Sequence, residues 1–231
     1  MPVPSLSIIV PVLNEAAGIA SVLAPLQALR GRSVELIVVD GGSTDGTAAL
    51  AAPLCEAVIA APRGRASQMN AGAGAAQANR LLFLHADTRL PDGAIAAIHD
   101  ALADHAWGRF DVRIDGRHPM LKVVAAMMNL RSRLTGIATG DQAIFARRDA
   151  FTKIGGFADL PLMEDIAFSR SMKSLGRPAC LRLRVTTAGR RWERHGVFRT
   201  IALMWRLRAA YALGTDPAEL ARRYGYTPRE S

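Results

Sequence analysis

The 231-residue chain has only two cysteines, Cys55 and Cys180, and no Cys-x-x-Cys pair. That excludes a disulfide framework and a thiolate zinc site, and thiols this sparse fit a reducing cytosol. Aromatic residues make up 6% of the chain. No stacking platform or helix-turn-helix spacing is evident, which weighs against a nucleic-acid-binding module. No apolar run reaches the roughly 18 residues of a membrane-spanning helix. The opening MPVPSLSIIV lacks a basic region and a long apolar stretch, so no signal peptide is expected there. Gly-x-Gly-x-x-Gly, Walker A, Gly-x-Ser-x-Gly and His-Glu-x-x-His motifs are absent. Dinucleotide dehydrogenases, P-loop enzymes, serine hydrolases and zincin proteases thereby lose their usual support.

Acidic residues are also in short supply, 20 against 29 Lys and Arg, for a net charge of +9. The imbalance is local. Residues 1–62 hold five acids against two bases, Arg30 and Arg32, so that segment carries −3 and the remainder +12. Residues 182–208 contain eight arginines and one acid, Glu193. A basic far half calls for an anionic partner: a phosphate-bearing substrate, an anionic membrane surface or nucleic acid.

What the chain does contain is an alternation of strand and helix signals. Half the residues are hydrophobic, enough for one large α/β domain. Buried strands are predicted at 5–13, 34–40, 56–61 and 81–87. Helices are predicted between them, from a cap at Asn14 to Leu29, after Ser43 or Asp45, from Ser67 to Asn79, and from Asp92 to His105. Such βαβ units make a parallel sheet with right-handed crossovers, and ligands bind beyond its carboxyl edge. The loops there carry Asn14, Glu15, Asp40, Asp45, Arg63, Arg65, His85 and Asp87. Beyond Asp104 the pattern changes. An antiparallel or edge strand is predicted at 107–115, a helix at 119–134, a strand at 140–148 and a helix at 164–175. A basic amphipathic helix follows from Val197 to Leu213, and a short one starts at Pro217.

Five segments carry chemistry. VVDGGSTDGT (38–47) puts the Asp40 carboxylate at the end of a buried strand, where it needs a partner and can accept from a base or ribose. In LLFLHADT (81–88), His85 and Asp87 would share one side of a strand. Asp87 is then a ligand for Mg²⁺ or Mn²⁺, or a cap for the next turn. Arg63 and Arg65 stand at a helix start, as phosphate contacts or as a solvated loop. Glu164 and Asp165 open a helix, as dipole-favouring acids or with one of them facing a cleft as a proton acceptor. Trp192 and its flanking arginines can stack on and pair with anions, and His195 is a third metal ligand, a diphosphate contact or structural.

In this order, SIIVPVLNE, VVDGGSTDGT, GRASQMNAG, FLHADT, GDQAIFARR followed by GGF, and MEDIAFSRS resemble the family 2 glycosyltransferases of the GT-A fold. The likeness covers roughly residues 5–200. With HADT and the RRW segment it looks like the bacterial radical-SAM/selenodomain-associated subgroup. The resemblance implies one GT-A domain with a mostly parallel sheet: a nucleotide-binding half (1–88), an acceptor half (89–196) and an amphipathic helical tail (197–231). It implies that Pro11, Leu13, Glu15 and Asp40 hold the base and ribose of a nucleotide-sugar. Arg65 would reach the diphosphate, with Asn70, His85, Ala86, Asp87 and Trp192 around the donor. Asp87 and His195 would hold Mg²⁺ or Mn²⁺, and Asp165 would be the general base of an inverting transfer to a hydroxyl.

Two departures stand out. Many members read Asp-Asp where this chain has Asp40-Gly41, and Asp-x-Asp where it has His85-Ala86-Asp87. The full QxxRW of processive synthases is also missing. The basic helix 197–213 either packs on the domain or docks at an anionic interface near a lipid-linked acceptor. The competing readings are a nucleotidyltransferase, whose loop after strand one would carry a base that PVLNEAAG lacks, and a non-enzymatic basic module that binds nucleic acid or a membrane surface. No nucleic-acid partner is expected; a cytoplasmic enzyme is, with 197–213 as the segment for any peripheral membrane contact.

Overall fold

Strand β1 (Leu6–Val12) is buried along its whole length and lies parallel to β2 (Val34–Asp40), from Leu6 opposite Val34 to Val12 opposite Asp40. The computed structural model describes residues 3–30 and 33–226. Arg32 and the last five residues of the expected tail lie outside them. Pro11 sits within β1, where a proline removes a ladder donor. The register makes room for it. Phe83 is the last partner of β1 on its other side, opposite Ile9, so Pro11 stands past the end of that ladder.

Between β1 and β2, the expected helix from Asn14 is shorter. It comprises α1 (Ile19–Leu23) and a 3₁₀ segment (Ala24–Leu29) with Pro25 in its first turn. Asn14 is not its cap, because it takes a left-handed φ of 54° in the loop. The helix α2 (Thr47–Ala51) leads to β3 (Ala57–Ala60), and α3 (Arg65–Ala75) to β4 (Arg80–Phe83). The first four strands run parallel in the order β3-β2-β1-β4, as the alternation predicts. Gly72 of α3 lets that helix rest directly on the sheet: a Cβ there would collide with Ile9 and stand 2.9 Å from Val39.

The strand expected at 81–87 ends at Phe83. The chain then turns, with Thr88 N–H donating to His85 O at 3.0 Å, and resumes as the short β5 (Thr88–Arg89). After α4 (Ala94–Asp104) comes β6 (Trp107–Asp115), which is an interior strand and not an edge. It pairs antiparallel with β7 (Phe145–Arg147) and parallel with β8 (Ala179–Ala188), a strand the sequence reading did not predict. Helix α5 (Met120–Thr135) lies between β6 and β7. The strand expected at 140–148 is instead a 3₁₀ turn (Gly140–Gln142), β7 and the short helix α6 (Arg148–Lys153). The sheet order is β3-β2-β1-β4-β7-β6-β8-β5, parallel in its first half and mixed beyond.

Alternate strand residues feed two cores. Ile8, Val10, Leu36 and Val38 face one, and Ile9, Ile37 and Val39 the other. The second core holds four of the seven phenylalanines: Phe83 meets Phe157 edge-on at 4.9 Å, and Phe157 stacks on Phe168 at 4.2 Å beside Phe151. Helix α7 (Glu164–Met172) packs there. After β8 come α8 (Arg190–His195), α9 (Val197–Ala212) and α10 (Pro217–Tyr224). A third cluster joins Leu207 and Leu220 of this tail to Leu162 and Ile166 at the start of α7. The tail therefore packs on the domain. No helix among the described residues is long and apolar enough to cross a membrane.

Candidate active site

The loops after β1 and β2 are tied to each other before any ligand is considered. Asn14 N–H donates to Ser43 Oγ, and Thr44 N–H to Asn14 Oδ1, each at 2.9 Å. Glu15 N–H donates to Thr47 Oγ1 at 2.9 Å, and Ala16 N–H to Asp45 Oδ2 at 3.0 Å. The polar run STDGT thus satisfies the backbone of the Asn-Glu loop. Asp40 is half-buried and accepts from Ser43 N–H at 3.1 Å and from the Ser43 hydroxyl. Gln68, which sequence reasoning passed over, is buried in α3. It donates to Val12 O and Val39 O, both at 2.8 Å, and so fixes where β1 and β2 end.

Arg190 gathers two acids from distant segments. Its guanidinium lies 3.3 Å from Glu15 and 4.0 Å from Asp87. Asp87 Oδ1 also accepts from the hydroxyls of Thr88 at 3.3 Å and Thr187 at 3.4 Å. His85 turns elsewhere, with Nδ1 3.4 Å from Asp141 Oδ1. The expected shared side for His85 and Asp87 does not arise, because β4 ends before either. Ala86 between them is buried in the core.

Beside this rim is a cavity of about 590 Å³. Its polar end is lined by Arg65, His85, Gly140, Asp141, Glu164, Asp165 and Trp192. Residues 162–166 all border it, so α7 meets the cavity end-on. Both acids of the Glu-Asp pair therefore face it, where the sequence reading expected one. Asp165 is held by two backbone donors, Gly140 N–H at 3.1 Å and its neighbour Ile166 N–H at 2.7 Å. Gly140 has no room for a side chain, since a Cβ would collide with the His85 ring. Asp141 was not singled out from sequence, and its only signal is the Gly-Asp-Gln turn before an apolar run. Protein crowding pushes its carboxyl up, but the His85 contact, then Arg65 and Arg208, hold it below the usual range. Crowding likewise opposes the Arg65 charge, and Glu164, Tyr224, Asp141 and Asp165 together raise its pKa. Tyr224 closes the wall, its ring lying 3.5 Å beneath the Arg191 guanidinium.

Glu164 is 5% exposed, and burial followed by Asp165 pushes its carboxyl up to about 7, against the pull of Arg65. The native state therefore keeps a proton that the unfolded chain, at 4.5, has lost. Stability falls as pH rises through that window and levels above about 7. Glu164→Gln removes this dependence. Calorimetry should show its melting temperature changing less than wild type between pH 5 and 8, with a gain over wild type at pH 8. Parallel profiles for the two proteins would refute the buried proton.

Other expected residues fall outside the cavity. Asn70 spends its side-chain amide on the backbone of Phe157, donating at 2.8 Å and accepting at 2.9 Å, so it anchors a loop. Pro11 is buried in β1, and Leu13 and Glu15 lie half-buried at its end. His195 is exposed at the end of α8. Among the described residues, no three His, Cys, Asp or Glu side chains gather to hold a metal. Asp87 fits a hard cation. It is one carboxylate with weak hydroxyl partners, and Mg²⁺ or Mn²⁺ commonly takes its remaining oxygens from a diphosphate and water.

The model of the family described as "Glycosyl transferase family 2" matches residues 7–155. The chain belongs to that family. Solved structures agree on the GT-A fold that the resemblance implies. A mannosyltransferase of Pyrobaculum calidifontis, PcManGT, in complex with GDP-Man and Mn²⁺, is similar at a TM-score of 0.65 and 22% identity, over 97% of this chain and 66% of that one. Staphylococcus aureus TarS (1–349) in complex with UDP-GlcNAc is similar at 0.63 and 19%, over 80% and 58%. A mycobacterial protein follows at 0.58 and 20%, over 80% and 65%. This family 2 chain thus spans about two thirds of the length of those proteins, or less. No curated protein sequence matches it significantly.

Proposed function

We propose that the protein is an inverting glycosyltransferase that moves a sugar from a nucleoside-diphosphate-sugar to an acceptor hydroxyl. The observation that carries this reading is Arg65 and Asp165 facing one cavity, with His85 from just past the carboxyl end of β4 in its lining. The neighbours' ligands, GDP-Man with Mn²⁺ and UDP-GlcNAc, support the donor class. HADT and the RRW segment support the radical-SAM/selenodomain-associated subgroup. We assign residues 1–88 to donor binding, 89–196 to acceptor binding and 197–231 to a tail that completes the cavity. Sparse thiols fit a cytoplasmic setting.

In this reading the Pro11–Glu15 loop and Asp40 hold base and ribose, with Asp40 exchanging its Ser43 contact for ribose hydroxyls. Arg65 pairs with the diphosphate, and Trp192 packs beside the donor. Asp87 would hold Mg²⁺ or Mn²⁺, which would supply positive charge for the leaving diphosphate. Arg65 adds fixed positive charge where the leaving oxygen becomes negative. Asp165 takes the proton of the acceptor hydroxyl as its oxygen attacks the anomeric carbon. The sugar–diphosphate bond breaks on the opposite face, the nucleoside diphosphate departs with the electron pair, and the anomeric centre inverts. The test is a panel of UDP-, GDP- and CMP-linked sugars with Mn²⁺ or Mg²⁺, scored by nucleotide release. Turnover of at least one nucleoside-diphosphate-sugar is expected, and none across the panel refutes the reading. Gly140→Ala should displace His85 and tilt the Asp165 support, lowering turnover roughly 10- to 100-fold. Unchanged turnover would show that the tight Gly140–His85 contact has no catalytic consequence.

A further inference from the structure

The cavity does not end at Asp165. It runs on into a trough between α5 and α9, walled by Met127, Met128, Met204 and Trp205. Two cations stand where the polar end meets this trough, Arg131 from α5 and Arg208 from α9. Arg131 Nε and Nη2 are buried and have no hydrogen-bond partner. Burial pulls both guanidinium groups down, Arg131 to about 10 with Arg208 adding to the fall, while Asp165 offsets part of the cost at each. A buried guanidinium with orphaned donors is costly unless an anion completes it. Beyond the arginines the walls are apolar, which suits a hydrocarbon and not a sugar.

The mouth of the trough is apolar as well. Met127 is 56% and Trp205 71% exposed, with Val123, Leu130 and Phe198 exposed nearby. On α9 the expected stripe splits. Val197, Thr200 and Leu207 turn inward, whereas Phe198, Ala202 and Trp205 turn out between the exposed Arg199 and Arg206. Apolar side chains flanked by cations suit the face of an anionic lipid layer.

We infer that the acceptor is an amphiphile: a hydrocarbon chain in the α5–α9 trough, a phosphate on Arg131 and Arg208, and the acceptor hydroxyl beyond it at Asp165. The inference rests on the assignment of Asp165 as the base. The hydroxyl oxygen forms the new bond to the anomeric carbon and its proton passes to Asp165.

The test uses dihexanoyl-phosphatidylglycerol, which carries chain, phosphate and hydroxyl, against glycerol phosphate without the chain and dihexanoylglycerol without the phosphate. Binding is read from the fluorescence of Trp192 and Trp205. The complete probe should bind at least about tenfold more tightly than either fragment. Arg131→Gln and Arg208→Gln should each weaken it about tenfold, the scale of a lost charged hydrogen bond. Met127→Glu, on an exposed position, should weaken it without touching the phosphate contacts. Thermal stabilisation by UDP or GDP with Mn²⁺ should be the same in Arg131→Gln as in wild type. Equal binding of the probe and a fragment, or wild-type binding by all three variants, overturns the inference. Loss of nucleotide stabilisation in the wild type would overturn the donor reading instead, and leaves the fluorescence result to decide this one.

Discussion

Asp165→Asn is expected to lower sugar transfer about 100- to 10,000-fold, the range that a positioned proton acceptor contributes. Nucleoside-diphosphate affinity should change less than about twofold, because the proposed mechanism gives the diphosphate to Arg65 and only the acceptor hydroxyl to Asp165. The substitution is conservative in structure. Asparagine keeps one oxygen to accept from Gly140 N–H, now 3.1 Å from the carboxylate, so the turn at 140–142 should keep its place. What it loses is the ability to take a proton and, with the second oxygen, the acceptor for Ile166 N–H. The measurement is kcat with the nucleotide-sugar found in the panel, alongside thermal shift with the matching nucleoside diphosphate. Transfer within tenfold of wild type would remove Asp165 from the role. Glu164 would then be the next candidate, since it borders the same cavity with its carboxyl pushed up to about 7.

Asp111→Ala should cost stability more than any surface change. Asp111 is buried on β6 between two arginines. Arg109, fully buried, donates to its Oδ1, and Arg133 of α5 donates to Oδ2 at 2.6 Å. Arg133 also reaches Cys180 O on β8 at 3.0 Å, so the carboxylate joins β6 to α5 and, through Arg133, to β8. Without Asp111 the Arg109 charge stays in the core uncompensated. Breaking a buried pair from one side costs about 3–5 kcal/mol. For a chain of this size each kcal/mol lowers the melting temperature by about 2–4 °C. The exposed Asp115 on the same strand is the control, and Asp115→Ala should cost no more than about 0.5 kcal/mol. Equal losses at the two positions would mean that the buried triad contributes nothing particular.

The same strand shows where reading from sequence falls short. WGRFDVRID alternates apolar and charged residues, which points to an antiparallel or edge strand; it does pair antiparallel with β7, but it is not an edge. The structure places it inside the sheet, because Arg109 and Asp111 neutralise each other and leave the strand buried through Val112. Alternation reports which residues share a side; it does not report that a side's charges cancel. Likewise His85 and Asp87 have the spacing of strand neighbours, yet β4 stops at Phe83 and the turn sends one to Asp141 and the other to Arg190.

Local chemistry in the chain was enough to determine the parallel first half of the sheet and the family. Each of those depends on short apolar runs, glycine turns and motif order, which act within a few residues of one another. Only the tertiary structure decided that α7 meets the cavity end-on, that Asp141 and Arg131 line it, that Arg190 spans Glu15 and Asp87, and that the tail walls off an apolar trough. Those depend on contacts between segments as far as 175 residues apart, where burial and charge balance arise only when the elements pack.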